Sequence, residues 1–173
     1  EEAVLFAAER LSRRDDQGVA AVAAAIIACL EIDPMFAAAL LARSAGRVWD
    51  TVGQTVQSFA RRWHRPGQVD RGLGFMVATG RPEFGDDVWP LVTSSDSQVQ
   101  LPALRTGSRF KASVLGDHLQ RDLTSLNEAI RERLLSVLVY EGDANALDLV
   151  ADLAKRDDSA KVQGEVFDAL MFR

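Results

Sequence analysis

The sequence predicts an all-α protein of eight to ten short helices. Apolar residues recur at i, i+3, i+4 and i+7 along almost the whole chain, and no run of four or more residues alternates cleanly between turn signals as a strand does. Of the 173 residues 47% are hydrophobic, enough for a packed core, which argues against disorder.

The first clear helix carries Val19, Val22, Ala23, Ile26, Ile27 and Leu30, with alanines and Cys29 on its other faces. Small residues all round let neighbouring helices approach on more than one side. Asp33-Pro34 restarts the chain, since Asp caps a helix and Pro is tolerated in the first turn, and Met35 to Ala45 follows. Asp50 reads as the next cap, leading into Val52, Val56, Phe59, Ala60 and Trp63 until Pro66-Gly67 stops the helix. A helix from about Asp70 ends at Gly80-Arg81-Pro82, and a short one covers Asp86 to Thr93. Val99, Ala103, Leu104 and Phe110 mark another, with Pro102 near its start.

Ser113 to Leu123 is broken by Gly116 and two aspartates. Ser125-Leu-Asn-Glu128 has capping-box spacing ahead of Ile130, Leu134, Val137 and Leu138. The next helix, Asn145 to Ala154, turns Leu147, Val150, Ala151 and Ala154 inward. Ser159 caps the last, which carries Val162, Val166, Phe167, Ala169 and Leu170.

Composition excludes several classes of function. The net charge is −5, so no global basic field exists to hold nucleic acid or an anionic membrane. One cysteine and two histidines leave little material for a disulfide framework or a metal site, and neither a metal nor a cofactor is expected. The longest uncharged apolar run, Gly18 to Leu30, is shorter than the roughly 20 residues that span a bilayer, so no membrane association is expected. The acidic start, Glu1-Glu2, is unlike a secretory signal, and the expected location is cytoplasmic. The missing initiator Met and the helical pattern still running at Met171-Phe172-Arg173 suggest a piece of a longer protein.

Two segments repeat one another. Leu91 to Ala103 parallels Leu153 to Val166: a helix ends on Leu, an Asp/Ser turn follows, and Val99-Gln100 or Val162-Gln163 opens the next helix with an apolar residue four positions after the Val. Upstream, Leu73 to Gly80 is similar to Leu135 to Gly142. One helical hairpin cannot bury its apolar face alone, so repeated hairpins stack into a continuous core. On these residues the chain resembles the HEAT or HEAT-like family, in which an Asp-rich turn precedes Val-Arg. Asp157, Val162, Val166, Ala169 and Leu170 fit best, and Val99 and Ala103 fit in part.

Two features depart from the family pattern. Gln100 and Gln163 stand where the family has Arg, and the Val-Gln pairs are 63 residues apart, against a HEAT unit of roughly 40 to 47. An insertion at 111–126 would account for the excess. The resemblance implies an α-solenoid of stacked antiparallel hairpins forming one array, with HEAT-like repeats over 50–173 and weaker N-terminal helices over 1–49. A tetratricopeptide-like reading competes at Ala28-Cys-Leu-Glu-Ile-Asp33-Pro34, but its register puts Arg43, Ser44 and Arg47 at positions meant for Leu, Gly and Tyr.

The most distinctive surface signal is Trp49 followed by Arg61, Arg62, His64, Arg65 and Arg71. From Arg43 to Arg71 there are six Arg and two Asp. Guanidinium and indole groups bind phosphate, acidic peptides or stacked bases. Arginines in a last helical turn equally serve the helix's free carbonyls and dipole. Arg105, Arg109 and Lys111 form a second excess of the same kind, and the stretch from Glu141 onward is acidic, with eight acids against four bases.

Ser113, His118 and Asp122 contain the residue types of a catalytic triad, without the Gly-x-Ser-x-Gly turn that would fix a nucleophile. The expectation is a non-catalytic scaffold that binds a protein or an adjoining domain of its own chain. The alternatives are nucleic-acid binding through the Arg/Trp segment and a tetratricopeptide-like peptide-binding module.

Overall fold

The computed structural model describes residues 1–106 and 109–172. Among them are eleven α-helices and three short 3-10 turns. The only β-type pairing among the described residues is one isolated bridge, Phe110 with Gly142. The chain divides into two compact units, Glu1–Arg65 and Pro66–Arg173.

The first unit holds α1 (Glu2–Arg14), α2 (Asp16–Ile32), α3 (Pro34–Arg43) and α4 (Gly46–Trp63). α2 packs against all three others. Its sequence suits a central position, because Val19, Val22, Ala23, Ile26 and Leu30 are buried and the alanines between them keep it thin. A close approach lies at Gly18, where a Cβ would lie 2.1 Å from the backbone oxygen of Leu11 in α1. Asp15 caps α2 by accepting from the Gly18 N–H at 2.7 Å, and Asp33 caps α3 by accepting from Phe36 N at 3.0 Å, with Pro34 at the start. Asp50, by contrast, lies inside α4, whose N-cap is Ala45. No side chain among the described residues caps α4; the buried Ser12 hydroxyl of α1 instead accepts from the N–H of the N-cap residue itself, Ala45, at 3.0 Å while donating to Glu9 O at 2.9 Å.

The second unit holds α5 (Arg71–Thr79), α6 (Gly85–Val92), α7 (Ser97–Leu104), α8 (His118–Arg121), α9 (Glu128–Glu141), α10 (Ala144–Arg156) and α11 (Ala160–Met171). α5 begins at Asp70, whose carboxylate accepts from Leu73 N at 2.9 Å, and ends on Gly80 at φ 65°, a left-handed conformation that favours glycine. Phe110 falls outside α7. It is buried and forms the bridge, donating its N–H to Glu141 O at 2.7 Å and accepting from Asp143 N at 3.0 Å. The Ser125–Glu128 capping box does not form. Ser125 Oγ donates to Asp122 O at 2.6 Å, and Asn127 caps α9 by accepting from Ala129 N at 2.9 Å. Ser159 caps α11 as the sequence suggests, accepting from Val162 N at 3.3 Å.

Packing within this unit runs in series: α6 on α7, α7 on α9, α9 on α11, with α10 against both α9 and α11. The 63-residue interval between the two Val-Gln pairs contains a third copy of the same pattern, Ile130-Arg131, 31 residues after Val99 and 32 before Val162. The register is strict. Each copy has its helix N-cap three residues before the apolar residue (Asp96, Asn127, Ser159) and a buried apolar residue four after it (Ala103, Leu134, Val166). The segment 111–126 forms three short turns, Ala112–Leu115, α8 and Leu123–Ser125. It stands between α7 and α9 in chain order as α10 stands between α9 and α11, and its first turn packs on α10.

Candidate interaction surfaces

The three equivalent polar residues that follow Val99, Ile130 and Val162 point inward and bind backbone. Gln100, fully buried, donates Nε2 to Val92 O at 2.9 Å and reaches Ile130 O, in the next copy, at 3.4 Å. Gln163 Nε2 donates to Asp157 O at 2.6 Å. Arg131 does most: its guanidinium donates to both carboxylate oxygens of Asp157 at 2.9 and 3.0 Å, to Asp158 Oδ1 at 2.9 Å and to Leu126 O at 2.9 Å. The side chains of Arg131 and Asp157 are only 8% and 1% exposed, so this fork is a buried ion pair. Each polar residue thus fastens the turn before its helix, and two of the three also reach into the following copy.

Beside Asp157 lies a cleft of about 370 Å³ between α8 with its following turn and α10. Leu119, Leu123, Leu149 and Leu153 form its apolar floor and walls, with Gln120, Asp152 and Arg156 around them. Leu149 and Leu153 are half-buried and lie off the inward stripe of Leu147, Val150, Ala151 and Ala154 that the sequence predicts for α10. Their own i, i+4 spacing on a second face of α10 was the available signal.

The arginine-rich segment spans the end of the first unit and the start of the second. Arg61 and Arg62 are exposed in the last turn of α4, and Arg65 is exposed where the first unit ends. His64 is buried as the C-cap of α4, its N–H donating to Ala60 O at 2.8 Å. Trp49 is half-buried with its indole against the Gly53 backbone. Arg71, exposed in the first turn of α5, belongs to the second unit. What the segment does build is an open cleft of about 370 Å³ within the first unit, lined by Leu30, Glu31, Pro34, Phe59, Arg62 and Trp63, with the Phe59 and Trp63 rings 5.5 Å apart. Of the second basic group, Arg105 lies 3.6 Å from Glu141, Arg109 is exposed, and Lys111 is half-buried with its aliphatic stem against Gly80.

The triad-type residues do not assemble into a triad. His118 Nδ1 does meet Asp122 Oδ2 at 2.8 Å, but Nε2 faces Asp86 Oδ1 at 3.0 Å and the ring stacks on Trp89 with centroids 5.2 Å apart. Ser113 Oγ is turned to Gly80 O at 2.8 Å. Arg121 forks onto Asp122 with two 2.8 Å bonds, and these bonds, aided by His118, hold the Asp122 carboxyl well below the usual carboxylate range. The cluster ties α8 to α6. Among the described residues no group of three or more His, Cys, Asp or Glu is placed to hold a metal ion, and no helix is long and apolar enough to cross a membrane.

No protein-family model, no curated protein and no solved structure matches the chain.

Proposed function

We propose that the chain is a non-catalytic, HEAT-like helical-repeat module that holds a protein partner or an adjoining domain. The observation that carries this reading is the threefold register of Gln100, Arg131 and Gln163, in which each copy packs on the next. Repeats of this kind bury a continuous core and leave their turns and outer helix faces free to vary, which is the economy of a binding surface. The binding surface in this reading is the cleft beside Asp157. Four leucines supply apolar area, and Gln120, Asp152 and Arg156 at its edge give direction to a polypeptide segment with an apolar side chain and polar neighbours.

The test is a selection of displayed peptides on the immobilised chain, with Leu149→Glu and Leu153→Glu as matched controls. The expected result is a family of enriched peptides whose affinity falls by about tenfold or more on either substitution. Failure to enrich any peptide would count against the reading. So would retention of oligonucleotides with steeply salt-dependent affinity that is lost on Arg61→Glu with Arg65→Glu, which would favour the nucleic-acid alternative.

A further inference from the structure

The threefold register exposes an inconsistency at its last member. The position five residues after the repeat's apolar residue is Leu104 in α7, Leu135 in α9 and Phe167 in α11. Leu104 and Leu135 are fully buried, whereas Phe167 is 39% exposed. Four residues further on, Val139 of α9 is buried while Met171 of α11 is 81% exposed. The first of these positions is enclosed in α7 and α9 and the second in α9, whereas both are open in α11, whose face continues a packing series without a described helix on it.

We infer that this face pairs with the same face of a second copy, the two α11 helices running antiparallel. The stripe consists of Ala160, Gly164, Phe167 and Met171 at i, i+4, i+7 and i+11, small at its start and large at its end. An antiparallel partner in register sets Ala160 against Met171 and Gly164 against Phe167, so each large side chain of one copy meets a small residue of the other. A Cβ at Gly164 would meet nothing within 4 Å, so the hollow that receives Phe167 is open. The charges agree: Lys161 and Asp168 flank the same edge of the stripe, and the antiparallel arrangement puts Lys161 of each copy beside Asp168 of the other. Lys161 already bonds Glu132 at 2.7 Å, which sets its ammonium at that edge and raises its affinity for the proton. An interface that contacts itself in this way closes as a twofold dimer instead of growing into a filament. One twelve-residue helix offers a small face, so the dimer is weak. The inference rests on the register and the exposed stripe, and it stands apart from what the cleft binds.

Sedimentation of the 173-residue chain from about 5 to 500 µM tests it, that range bracketing the affinities of small interfaces. A monomer–dimer equilibrium is expected, with the dissociation constant raised at least about tenfold by Phe167→Glu while the helical circular dichroism and melting temperature stay unchanged. A second measurement reports geometry. With Cys29→Ser as background, Ala160→Cys and Met171→Cys chains are mixed and mildly oxidised. The mixed disulfide is expected to outrun both self-linked species, because the antiparallel register separates like positions by about 16 Å at the helical rise. A chain monomeric throughout the range overturns the inference, as does a dimer indifferent to Phe167→Glu or a mixture in which self-linking prevails.

Discussion

In the first unit, helices meet over alanine, valine and glycine around the thin central α2, whereas in the second, successive helices are stitched through buried amide and guanidinium groups. Both solutions answer one requirement, that the order and spacing of helices be unique. In the first, uniqueness comes from volume: at Gly18 the α1 backbone leaves no room for a side chain. In the second it comes from hydrogen bonding: Arg131 is satisfied only if Asp157, Asp158 and the Leu126 carbonyl are all in place. The lesson is that a steric specification tolerates no enlargement, and a polar one tolerates no deletion of a single partner.

The polar specification breaks most severely. Arg131→Met leaves the Asp157 carboxylate buried without its cation, and urea unfolding of the second unit is expected to show a loss of about 3–5 kcal/mol. Adding Asp157→Leu removes the stranded charge and is expected to recover most of that loss; a double variant no better than the single one would mean that the fork contributes through packing alone. Next is the steric side, where Gly18→Val drives a side chain into the Leu11 carbonyl and costs about 3 kcal/mol. If that variant unfolds at the wild-type urea midpoint, the close approach of α1 and α2 does not specify the first unit.

Smaller effects refine the contrast. Gln100→Leu removes the bond to Val92 O but also a buried amide oxygen, Oε1, that has no hydrogen-bond partner, so its net cost is about 1 kcal/mol or less. That modest value, measured beside the Arg131 variant, would separate a glutamine rung from an arginine one.

Acid is expected to act on Asp15 in the first unit and on Asp122 in the second. The backbone N–H of Gly18, with Arg14, lowers the proton affinity of Asp15, and Arg121, with His118, lowers that of Asp122. A carboxyl that binds its proton more weakly folded than unfolded contributes stability that is full above the unfolded value near 3.9 and is lost as pH falls through the lowered folded value. Urea midpoints of both units are therefore expected to be flat from pH 7 to about 5 and to fall below about 4. Asp15→Asn is expected to flatten the fall in the first unit, and Asp122→Asn in the second.

Much of this organisation is legible in the residues because it is local. Asp33-Pro34, Asp70 with Gly80, and Ser159 mark helix ends because a cap acts within one turn of its own position. Asp50 misleads because α4 begins a turn earlier, at Gly46, where Ser12, 33 residues before Ala45, holds the N–H of the residue that opens the helix. The third repeat copy is hidden for a related reason. It carries Asn127 where its siblings have Asp or Ser and Arg131 where they have Gln, and only the distant Asp157 explains the exchange. The arginine segment reads as continuous, yet between Arg65 and Arg71 the chain passes from one unit to the other, and His64 within it is buried. The cleft beside Asp157 combines α8, a 3-10 turn and α10, which no sequence window contains together.

The rungs between copies have a consequence for how the second unit comes together. Gln100 reaches 30 residues ahead to Ile130, and Arg131 reaches 26 ahead to Asp157. Each such link closes a loop of nearly constant length, and loop-closure entropy rises only slowly with length, so every copy faces a similar barrier to docking on its predecessor. On the repeat reading proposed above, assembly can start at any copy and spread to its neighbours.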